Sequence, residues 1–258
     1  MGMKCRRQAL IFDVDGTLAE TERDGHRVAF NQAFAEAGLH WHWDVTTYGR
    51  LLAITGGKER MLHYWQSIDP QGARDPQAIT TVAELHRRKT AHYVRLVGEG
   101  AIRLRPGVRR LLNEARGAGL RLAIATTTTP ENVEALLGAT LGRDASSLFE
   151  VIGAGDIVPR KKPDPAIYNW VLEQMHLEPG QCLAFEDSRN GWLAARGAGL
   201  DTIVTTGAYT AEESFEGALA HLDGLGEPGE PATGHAREAA WSGVVDLDAL
   251  GAWVQTRA

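Results

Sequence analysis

Two carboxylates separated by one residue end a short apolar run near the start of the chain. Asp13 and Asp15 close this run, and Gly16 follows them, where it permits a sharp turn. Residues i and i+2 of an extended segment point to the same side, so both carboxylates can face one crevice. Open α/β sheets place their sites at this end of a strand. An Asp-rich turn without chemistry is the alternative that the spacing alone leaves open.

A second acidic pair, Glu186 and Asp187, follows the apolar run 182–185. If both runs end at the same edge of a sheet, three or four carboxylates meet there and repel each other unless a cation neutralises them. Mg²⁺ is the expected cation, because it takes oxygen ligands and retains several waters. Alternatively the second pair only begins a helix, where the helix dipole favours acidic residues.

A run of threonines follows the apolar run 122–125. Thr129 and Pro130 predict the N-cap and the first residue of a helix, and Thr126, Thr127 and Thr128 precede them. A hydroxyl and backbone amides at a helix N-terminus can bind a phosphate. Threonines are also common at strand ends without such a role.

Lys162 belongs to the basic turn 160–162, which precedes Pro163 and a predicted helix over residues 166–175. Most basic turns are solvated surface charge. Beside the acidic residues, however, one lysine would supply the positive charge that the site otherwise lacks.

Six short apolar runs predict the strands of a sheet. They span residues 9–13, 122–126, 149–153, 182–185, 202–205 and 244–246. The last five alternate with helical segments and are rich in Val, Ile, Leu and Ala, as strands buried on both faces tend to be. The hexapeptide Ala-Arg-Gly-Ala-Gly-Leu occurs at 115–120 and again at 195–200, each time before a predicted strand, where glycine ends a helix. The sequence therefore predicts an α/β fold with a Rossmann-like parallel sheet.

Residues 19–102 have a different pattern, with apolar residues at helical spacing, several Trp and His residues and no strand signal. An insertion of this size after the first strand implies a small second domain made of helices. Its linkers are predicted at 18–23 and 98–106. We therefore expect a core of residues 1–18 and 103–258 and an inserted α-helical domain of residues 19–102.

The composition is that of a globular protein, with 258 residues, 43% hydrophobic and 23% charged. The net charge of −6 argues against general binding of nucleic acid. Cys5 and Cys182 lie far apart and indicate neither a disulfide framework nor a metal site, which fits a reducing cytosol. No apolar stretch approaches the roughly 20 residues of a membrane span. We expect a cytoplasmic enzyme without a nucleic-acid or membrane partner.

The four motifs, in their order along the chain, resemble those of the haloacid dehalogenase superfamily of phosphotransferases. The resemblance implies that Asp13 attacks phosphorus and becomes an aspartyl phosphate. It implies that Asp15 protonates the leaving alcohol and later activates water, and that Thr126 and Lys162 bind phosphoryl oxygens. An alcohol leaving group needs a proton at neutral pH, so the presence of Asp15 favours a phosphatase over a dehalogenase.

The same resemblance implies a bound metal ion. Mg²⁺ would be held by Asp13, the Asp15 carbonyl and Asp187, with Glu186 beside it. In this sequence the lysine motif is Lys-Pro-Asp-Pro-Ala, whereas the family often has Lys-Pro-x-Pro-Asp. The departure concerns the start of the following helix and leaves Lys162 in place.

The inserted helices resemble the small cap domain of CbbY-type sugar-bisphosphate phosphatases. The shared segments are Ala19-Glu20-Thr21-Glu22, Ala29-Phe30-Asn31, Trp41-His42-Trp43-Asp44, Tyr48, Thr55-Gly56-Gly57-Lys58-Glu59-Arg60, Arg88-Lys89-Thr90 and Tyr93-Val94. The resemblance implies substrate contacts from the following residues: Glu22, His26, Tyr48, Gly56, Gly57, Lys58, Glu59, Arg60 and Lys89 in the cap, and Thr126, Thr127, Thr128 and Lys162 in the core. The glycine loop exposes backbone amides, and the cations beside it suit a second phosphate.

The implied function is Mg²⁺-dependent hydrolysis of a sugar bisphosphate, xylulose 1,5-bisphosphate, in the Calvin cycle, by a monomer. One alternative is a β-phosphoglucomutase-type isomerase, which returns the phosphate to the sugar. Another is a phosphoglycolate phosphatase, which has less use for the cations of the cap. A non-catalytic sugar-phosphate-binding regulator is the third, but it would be expected to have lost Asp13 or Asp15.

Overall fold

A single sheet of seven strands forms the centre of the computed structural model, which describes residues 7–237 and 241–255. The strands are β1 Ala9–Phe12, β2 Arg121–Ala125, β3 Val151–Gly153, β4 Cys182–Glu186, β5 Asp201–Thr205, β6 Ala220–Leu222 and β7 Gly234–Ala236. Their order across the sheet is β3-β2-β1-β4-β5-β6-β7. Neighbours from β3 to β6 are parallel, and β7 runs antiparallel to β6. The predicted α/β fold class is confirmed.

The α-helices of the described residues lie between and around these strands. They are α1 Arg27–Glu36, α2 Val45–Leu51, α3 Gly57–Ile68, α4 Ala78–Gly98, α5 Val108–Gly117, α6 Pro130–Leu141, α7 Ala166–Met175, α8 Arg189–Gly197 and α9 Leu247–Gln255. A π-helical turn spans Glu22–His26, and short 3₁₀ helices span Gly72–Arg74, Ala145–Leu148 and Pro179–Gln181. In this part of the chain, no helix is both long and apolar enough to cross a membrane.

The first strand shows how its sequence produces a three-layer core. Its residues are all buried, and successive side chains point to opposite faces of the sheet. Leu10 and Phe12 pack with residues of α5, α6 and α9, whereas Ala9 and Ile11 pack with residues of α7 and α8. An uninterrupted apolar run is therefore required here, because helices cover both faces of the strand.

The register places the carboxyl ends of three strands side by side. Phe12 is paired with Ile124 of β2 on one side and with Phe185 of β4 on the other. The segments that follow these strands, which contain three of the four predicted motifs, therefore leave the sheet at the same edge.

Five of the six predicted strands are confirmed, with small shifts at their ends. The prediction of a strand at 244–246 is wrong: these residues form no strand, although Val245 is fully buried and its backbone amide donates to the Leu225 carbonyl. Its side chain joins the apolar cluster that contains α5 and α9, so burial by helices explains the apolar run without a strand. The sheet is completed instead by β6 and β7, which the sequence did not reveal.

The repeated hexapeptide has the predicted role in both copies. α5 and α8 each end inside it, and Gly119 and Gly199 follow with φ of +79° and +80°. This left-handed conformation suits glycine and turns the chain back into β2 and β5.

Helices α1 to α4 are inserted between β1 and α5. They enclose an apolar cluster of their own, in which Trp43, Tyr48, Phe30 and Phe34 are fully buried or nearly so. The segments entering and leaving this insertion pair with each other through a bridge between Ala19 and Leu104. The aromatic residues thus pack the inserted helices against one another.

Candidate active site

The turn after β1 brings two acidic residues to the sheet edge. The Asp13 amide donates to the Phe185 carbonyl at 3.0 Å, which extends the pairing of β1 with β4 by one residue. Gly16 then adopts a φ of +87°, and its amide donates to the Ala19 carbonyl at 2.8 Å. The chain turns sharply there, which leaves Asp13 and Asp15 facing the space above the sheet edge.

Three carboxylates meet beside this turn. One oxygen each from Asp13, Glu186 and Asp187 lies within 4.8 Å of the others, and all three residues are buried. Burial, with the neighbouring carboxylates, raises the pKa of Asp187 well above its usual value. Burial likewise raises the pKa of Asp13 to about 8, against the opposing charge of Lys162. Asp13 and Asp187 can be ionised together only if more positive charge is supplied.

The donor set fits Mg²⁺. All candidate ligands are oxygens, which Mg²⁺ prefers. The Asp187 carboxylate accepts no hydrogen bond from the described residues and lies directly against Gly16, where a Cβ would overlap it. An available carboxylate and a close backbone approach are what a small, hard cation requires. Asp13 and Asp187 would therefore hold the ion, and Glu186, which is fully buried, would lie behind them.

Lys162 occupies the centre of the acidic group. Its ammonium lies 2.6 Å from both Asp13 Oδ1 and Glu186 Oε1, and it donates to the Ala125 carbonyl at 2.8 Å. Burial opposes its charge, but the two carboxylates hold the pKa of Lys162 above its usual range. The Tyr168 hydroxyl donates to the same Glu186 oxygen at 2.6 Å. Lys162 is thus a fixed cation beside Asp13.

Asp15 is held by a separate set of groups from the inserted helices. The Thr21 hydroxyl donates to Asp15 Oδ1 at 2.6 Å, and His26 Nε2 lies 2.9 Å from the same atom. Lys89 Nζ lies 2.8 Å from His26 Nδ1. An ammonium has only protons to offer, so Nδ1 accepts from Lys89 and Nε2 carries the hydrogen donated to Asp15.

The charge state of Asp15 follows from these contacts. Burial alone would raise its pKa, but His26, Thr21 and Lys89 together lower the pKa of Asp15 to about 2. Burial lowers the pKa of Lys89 to about 8, although Asp15 and Glu22 oppose this. Asp15 is therefore ionised at neutral pH. The pKa values of the two aspartates of the turn are shifted in opposite directions, upward for Asp13 and downward for Asp15.

The threonine segment lies at the end of β2. The Thr126 amide donates to the Gly153 carbonyl at 2.9 Å, and the Thr128 amide lies 3.3 Å from the Thr126 hydroxyl. Helix α6 begins at Pro130 with Thr129 as its N-cap residue, as predicted, although the Thr129 side chain forms no capping bond. The segment thus presents a hydroxyl and a helix N-terminus to the site.

A cavity of about 410 Å³ lies over these groups. It is lined by the predicted residues Asp13, Asp15, Glu22, Arg60, Thr126, Thr127, Lys162 and Asp187. A smaller space of about 40 Å³ adjoins it, lined by further predicted residues: His26, Gly56, Gly57, Lys89 and Thr128. The structure therefore brings together most of the predicted site residues, from both the sheet edge and the inserted helices.

Three predicted substrate contacts do not line either space. Tyr48 is fully buried, donates its hydroxyl to Glu22 and accepts from Arg60 Nη1 at 2.9 Å. Glu59 lies against Gly56. Lys58 pairs with Asp156 at 2.5 Å. The position of Lys58 does not support the expectation that it binds a second phosphate, because neighbouring side chains of one helical turn face different sides.

Several residues at the site were not selected from the sequence. Thr21 belongs to a segment quoted for the family resemblance, but nothing in the sequence showed that it reaches Asp15. Tyr168 lies on the correctly predicted helix 166–175, yet the helix pattern does not show which residue meets Glu186. Arg50 and Asn190 also line the larger cavity. A lone arginine and a lone asparagine gave no signal of this.

Comparison with known proteins places the chain in a family. Residues 8–199 match the haloacid dehalogenase-like hydrolase family. The chain is 54% identical over 248 residues to the plasmid-encoded protein CbbY of Cupriavidus necator, covering 95% of this chain and 96% of that protein.

Solved structures agree with this placement. The structure is similar to the crystal structure of CbbY from Rhodobacter sphaeroides in complex with phosphate, with a TM-score of 0.79 and 49% identity, covering 84% of this chain and 94% of that one. It is equally similar to an Asp-to-Asn mutant of that protein in complex with xylulose 1,5-bisphosphate.

The chain belongs to the haloacid dehalogenase-like hydrolase family. The expectation of an enzyme of the phosphatase type is confirmed, and the sequence and fold resemble those of CbbY proteins over most of the chain.

Proposed function

We propose that this protein is a Mg²⁺-dependent sugar-bisphosphate phosphatase, with xylulose 1,5-bisphosphate as its substrate and an aspartyl phosphate as intermediate. The observation that carries the proposal is that two aspartates line one cavity but are held by different groups. Asp13 contacts Lys162 and the acidic cluster, whereas Asp15 contacts Thr21 and His26. The crystal structure of a CbbY mutant with xylulose 1,5-bisphosphate supports the choice of substrate.

In the first step an Asp13 oxygen forms a bond to phosphorus, and the bond between phosphorus and the sugar oxygen breaks. Lys162 and the Thr126 hydroxyl hold the phosphoryl oxygens during this transfer. A bound Mg²⁺ would neutralise charge that develops on the transferred group. The departing sugar oxygen takes its proton from Asp15.

Asp15 must gain a proton before that step, since its pKa is about 2 in the free protein. The negative charge of a bound phosphate ester opposes ionisation of the nearby carboxyl and raises its pKa. In the second step the ionised Asp15 accepts a proton from water. The water oxygen then bonds to phosphorus, and the Asp13 carboxylate leaves as inorganic phosphate is released.

The second phosphate of the substrate requires positive charge on the side of the inserted helices. Arg60 is buried and lines both the large cavity and the smaller space. Its Nε donates to the Leu51 and Ile54 carbonyls at 3.2 and 3.3 Å, which fixes the guanidinium. We therefore place the second phosphate at Arg60, with Gly56 and Gly57 offering backbone amides.

We also propose that residues 19–102 form a cap domain on a core of residues 1–18 and 103–258. The bridge between Ala19 and Leu104 supports this division, because it joins the segment that enters the inserted helices to the segment that leaves them. From the resemblance to CbbY-type phosphatases we further propose a cytoplasmic monomer with a role in the Calvin cycle.

The test is phosphate release from xylulose 1,5-bisphosphate with Mg²⁺, compared with xylulose 5-phosphate, phosphoglycolate and β-glucose 1-phosphate. We expect the bisphosphate to have the highest kcat/KM and one inorganic phosphate to appear for each sugar monophosphate formed. Isomerisation of β-glucose 1-phosphate without phosphate release would instead show a mutase. The variant Asp13→Asn is the control for contaminating phosphatases.

A further inference from the structure

Arg105 has a buried guanidinium that the proposed reaction does not use. Its side chain is only 6% exposed. The guanidinium donates to the carbonyl of Gly16, to that of Thr205 at 2.7 Å, and to those of Thr206 and Asp223 at 2.8 Å each. Four carbonyls from three separate segments converge on one side chain. Only arginine has a planar fork of donors that can serve such an arrangement.

The three segments are those that follow β1, β5 and β6. Gly16 lies in the turn that presents Asp13 and Asp15, and Thr205 and Asp223 lie at the ends of the other two strands. Without a donor, these carbonyls would lose their hydrogen bonds in a buried place, which is costly. Through these carbonyls, Arg105 therefore links the turn after β1 to the ends of β5 and β6.

Gly16 separates Arg105 from the acidic cluster. Its carbonyl accepts from Arg105, while its Cα lies against the Asp187 carboxylate. Lys162 forms ion pairs with Asp13 and Glu186 but not with Asp187. A shift of Gly16 would thus change the position of both aspartates of the turn relative to Asp187.

Arg105 also lies on the segment that leads from the inserted helices back to the sheet. Its amide donates to the Leu18 carbonyl at 2.9 Å, next to the bridge between Ala19 and Leu104. Its Nε lies 3.4 Å from Glu20 on the entering segment. Arg105, on the segment that leaves the inserted helices, therefore contacts both the entering segment and the turn with the two aspartates.

We propose that Arg105 is a positioning residue of the phosphatase reaction. Its guanidinium holds the Gly16 carbonyl, and with it the turn that carries Asp13 and Asp15, at the point where the inserted segment joins the sheet. The inference rests on the roles assigned to these aspartates in the proposed function. It adds a residue whose hydrogen bond to the catalytic turn is made to a backbone carbonyl, that of Gly16.

Arg110 provides a matched control. It is also a partly buried arginine that donates to backbone carbonyls, those of Val245, Leu225 and Gly226, at 2.9–3.3 Å. None of these carbonyls belongs to the turn after β1. Arg110→Met removes a comparable set of bonds at a distance from the catalytic turn.

The experiment compares Arg105→Met, Arg105→Lys and Arg110→Met with the wild type. Melting temperature, kcat and KM for p-nitrophenyl phosphate, and the Mg²⁺ dissociation constant by calorimetry without substrate are measured. For Arg105→Met we expect kcat to fall about tenfold or more and the Mg²⁺ dissociation constant to rise about threefold or more, since small misplacements of catalytic groups have large effects. Arg110→Met should lower the melting temperature but keep both values within about twofold.

The proposal is overturned if folded Arg105→Met keeps kcat and Mg²⁺ affinity within about twofold of the wild type, or if Arg110→Met loses both equally. If Arg105→Met does not fold, Arg105→Lys decides by the same two values, because it keeps the charge but loses the fork. Failure of the substrate proposal is distinguishable. In that case the wild type hydrolyses p-nitrophenyl phosphate but not xylulose 1,5-bisphosphate, while the Arg105 measurements remain valid.

Discussion

Lys58 Nζ lies 2.5 Å from Asp156 Oδ2, and this ion pair joins the first turn of α3 to the segment after β3. Lys161 contacts the other oxygen of Asp156 at 2.6 Å. The hydrogen bonds from Lys161 and Lys58 lower the pKa of Asp156 to about 2, so the carboxylate is ionised at neutral pH. Lys58 lines neither the large cavity nor the smaller space, whereas Arg60, two residues later, lines both.

This difference predicts unequal effects of two neighbouring substitutions. Arg60→Met should lower kcat/KM for xylulose 1,5-bisphosphate about ten- to a hundredfold relative to p-nitrophenyl phosphate, because a charge-assisted contact is lost. Lys58→Met should leave that ratio within about threefold, since the Lys58 ion pair is exposed and such pairs are weak. The ratio of the two substrates removes effects common to both. An equal loss in the two variants would contradict the placement of the second phosphate at Arg60.

Asp13→Asn should abolish turnover without unfolding the protein. The amide has nearly the same shape as the carboxylate but is not a nucleophile, so we expect kcat to fall about a thousandfold or more. Activity is measured on p-nitrophenyl phosphate, and circular dichroism checks the fold. A variant with near wild-type kcat would exclude an aspartyl phosphate on Asp13.

Mg²⁺ should stabilise the protein, and more so at pH 8 than at pH 6. The pKa of Asp13 in the folded state, about 8, lies above its usual value, so the fold without metal loses stability as pH rises between about 4 and 8. Mg²⁺ binds the ionised form and offsets this loss. At a hundred times its dissociation constant it should contribute about 2.7 kcal/mol, or about 5–10 °C in melting temperature.

Thermal melting with Mg²⁺ or with a chelator, at both pH values, measures this effect. Asp187→Asn is the control, because it removes a proposed ligand and should reduce the gain. A wild-type protein whose melting temperature does not respond to millimolar Mg²⁺ would contradict the assignment of the acidic cluster as a metal site.

Asp15→Asn should affect substrates according to their leaving groups. A sugar alkoxide needs a proton from Asp15, whereas p-nitrophenolate leaves without much protonation. We therefore expect kcat to fall at least about tenfold more for the sugar bisphosphate than for p-nitrophenyl phosphate. Thr21→Val, which removes one hydrogen bond to Asp15, is the matched control and should show a smaller difference. Equal losses on both substrates would assign Asp15 to positioning alone.

Much of the active site was predictable because it depends on strand ends. Buried parallel strands appear in the sequence as apolar runs, and the carboxyl ends of neighbouring strands share one edge. Asp13, Thr126 and Glu186 follow directly after such runs, so their convergence required only that β1, β2 and β4 be neighbours. The helix after Lys162 was likewise found at its observed bounds, Ala166–Met175.

The edge of the sheet was not predictable in the same way. β6 and β7 have three residues each, too few for a periodic pattern to be distinguished from a loop. The apolar run at 244–246 has the composition of a strand, but its burial comes from helices. Composition reports burial, and only the tertiary structure decides which element provides it.

The orientation of single side chains was decided by the tertiary structure as well. Lys58 and Arg60 lie about 200° apart around one helix, so only one of them can face the cavity, and the sequence does not show which. Arg105 precedes a proline in a connecting segment, yet it meets carbonyls up to 118 residues away. The sequence by itself determined which chemical groups this protein has at the strand ends. The packing of the inserted helices and of the two segments that connect them to the sheet decided which cations lie beside these groups. Those contacts join residues that are far apart in the chain.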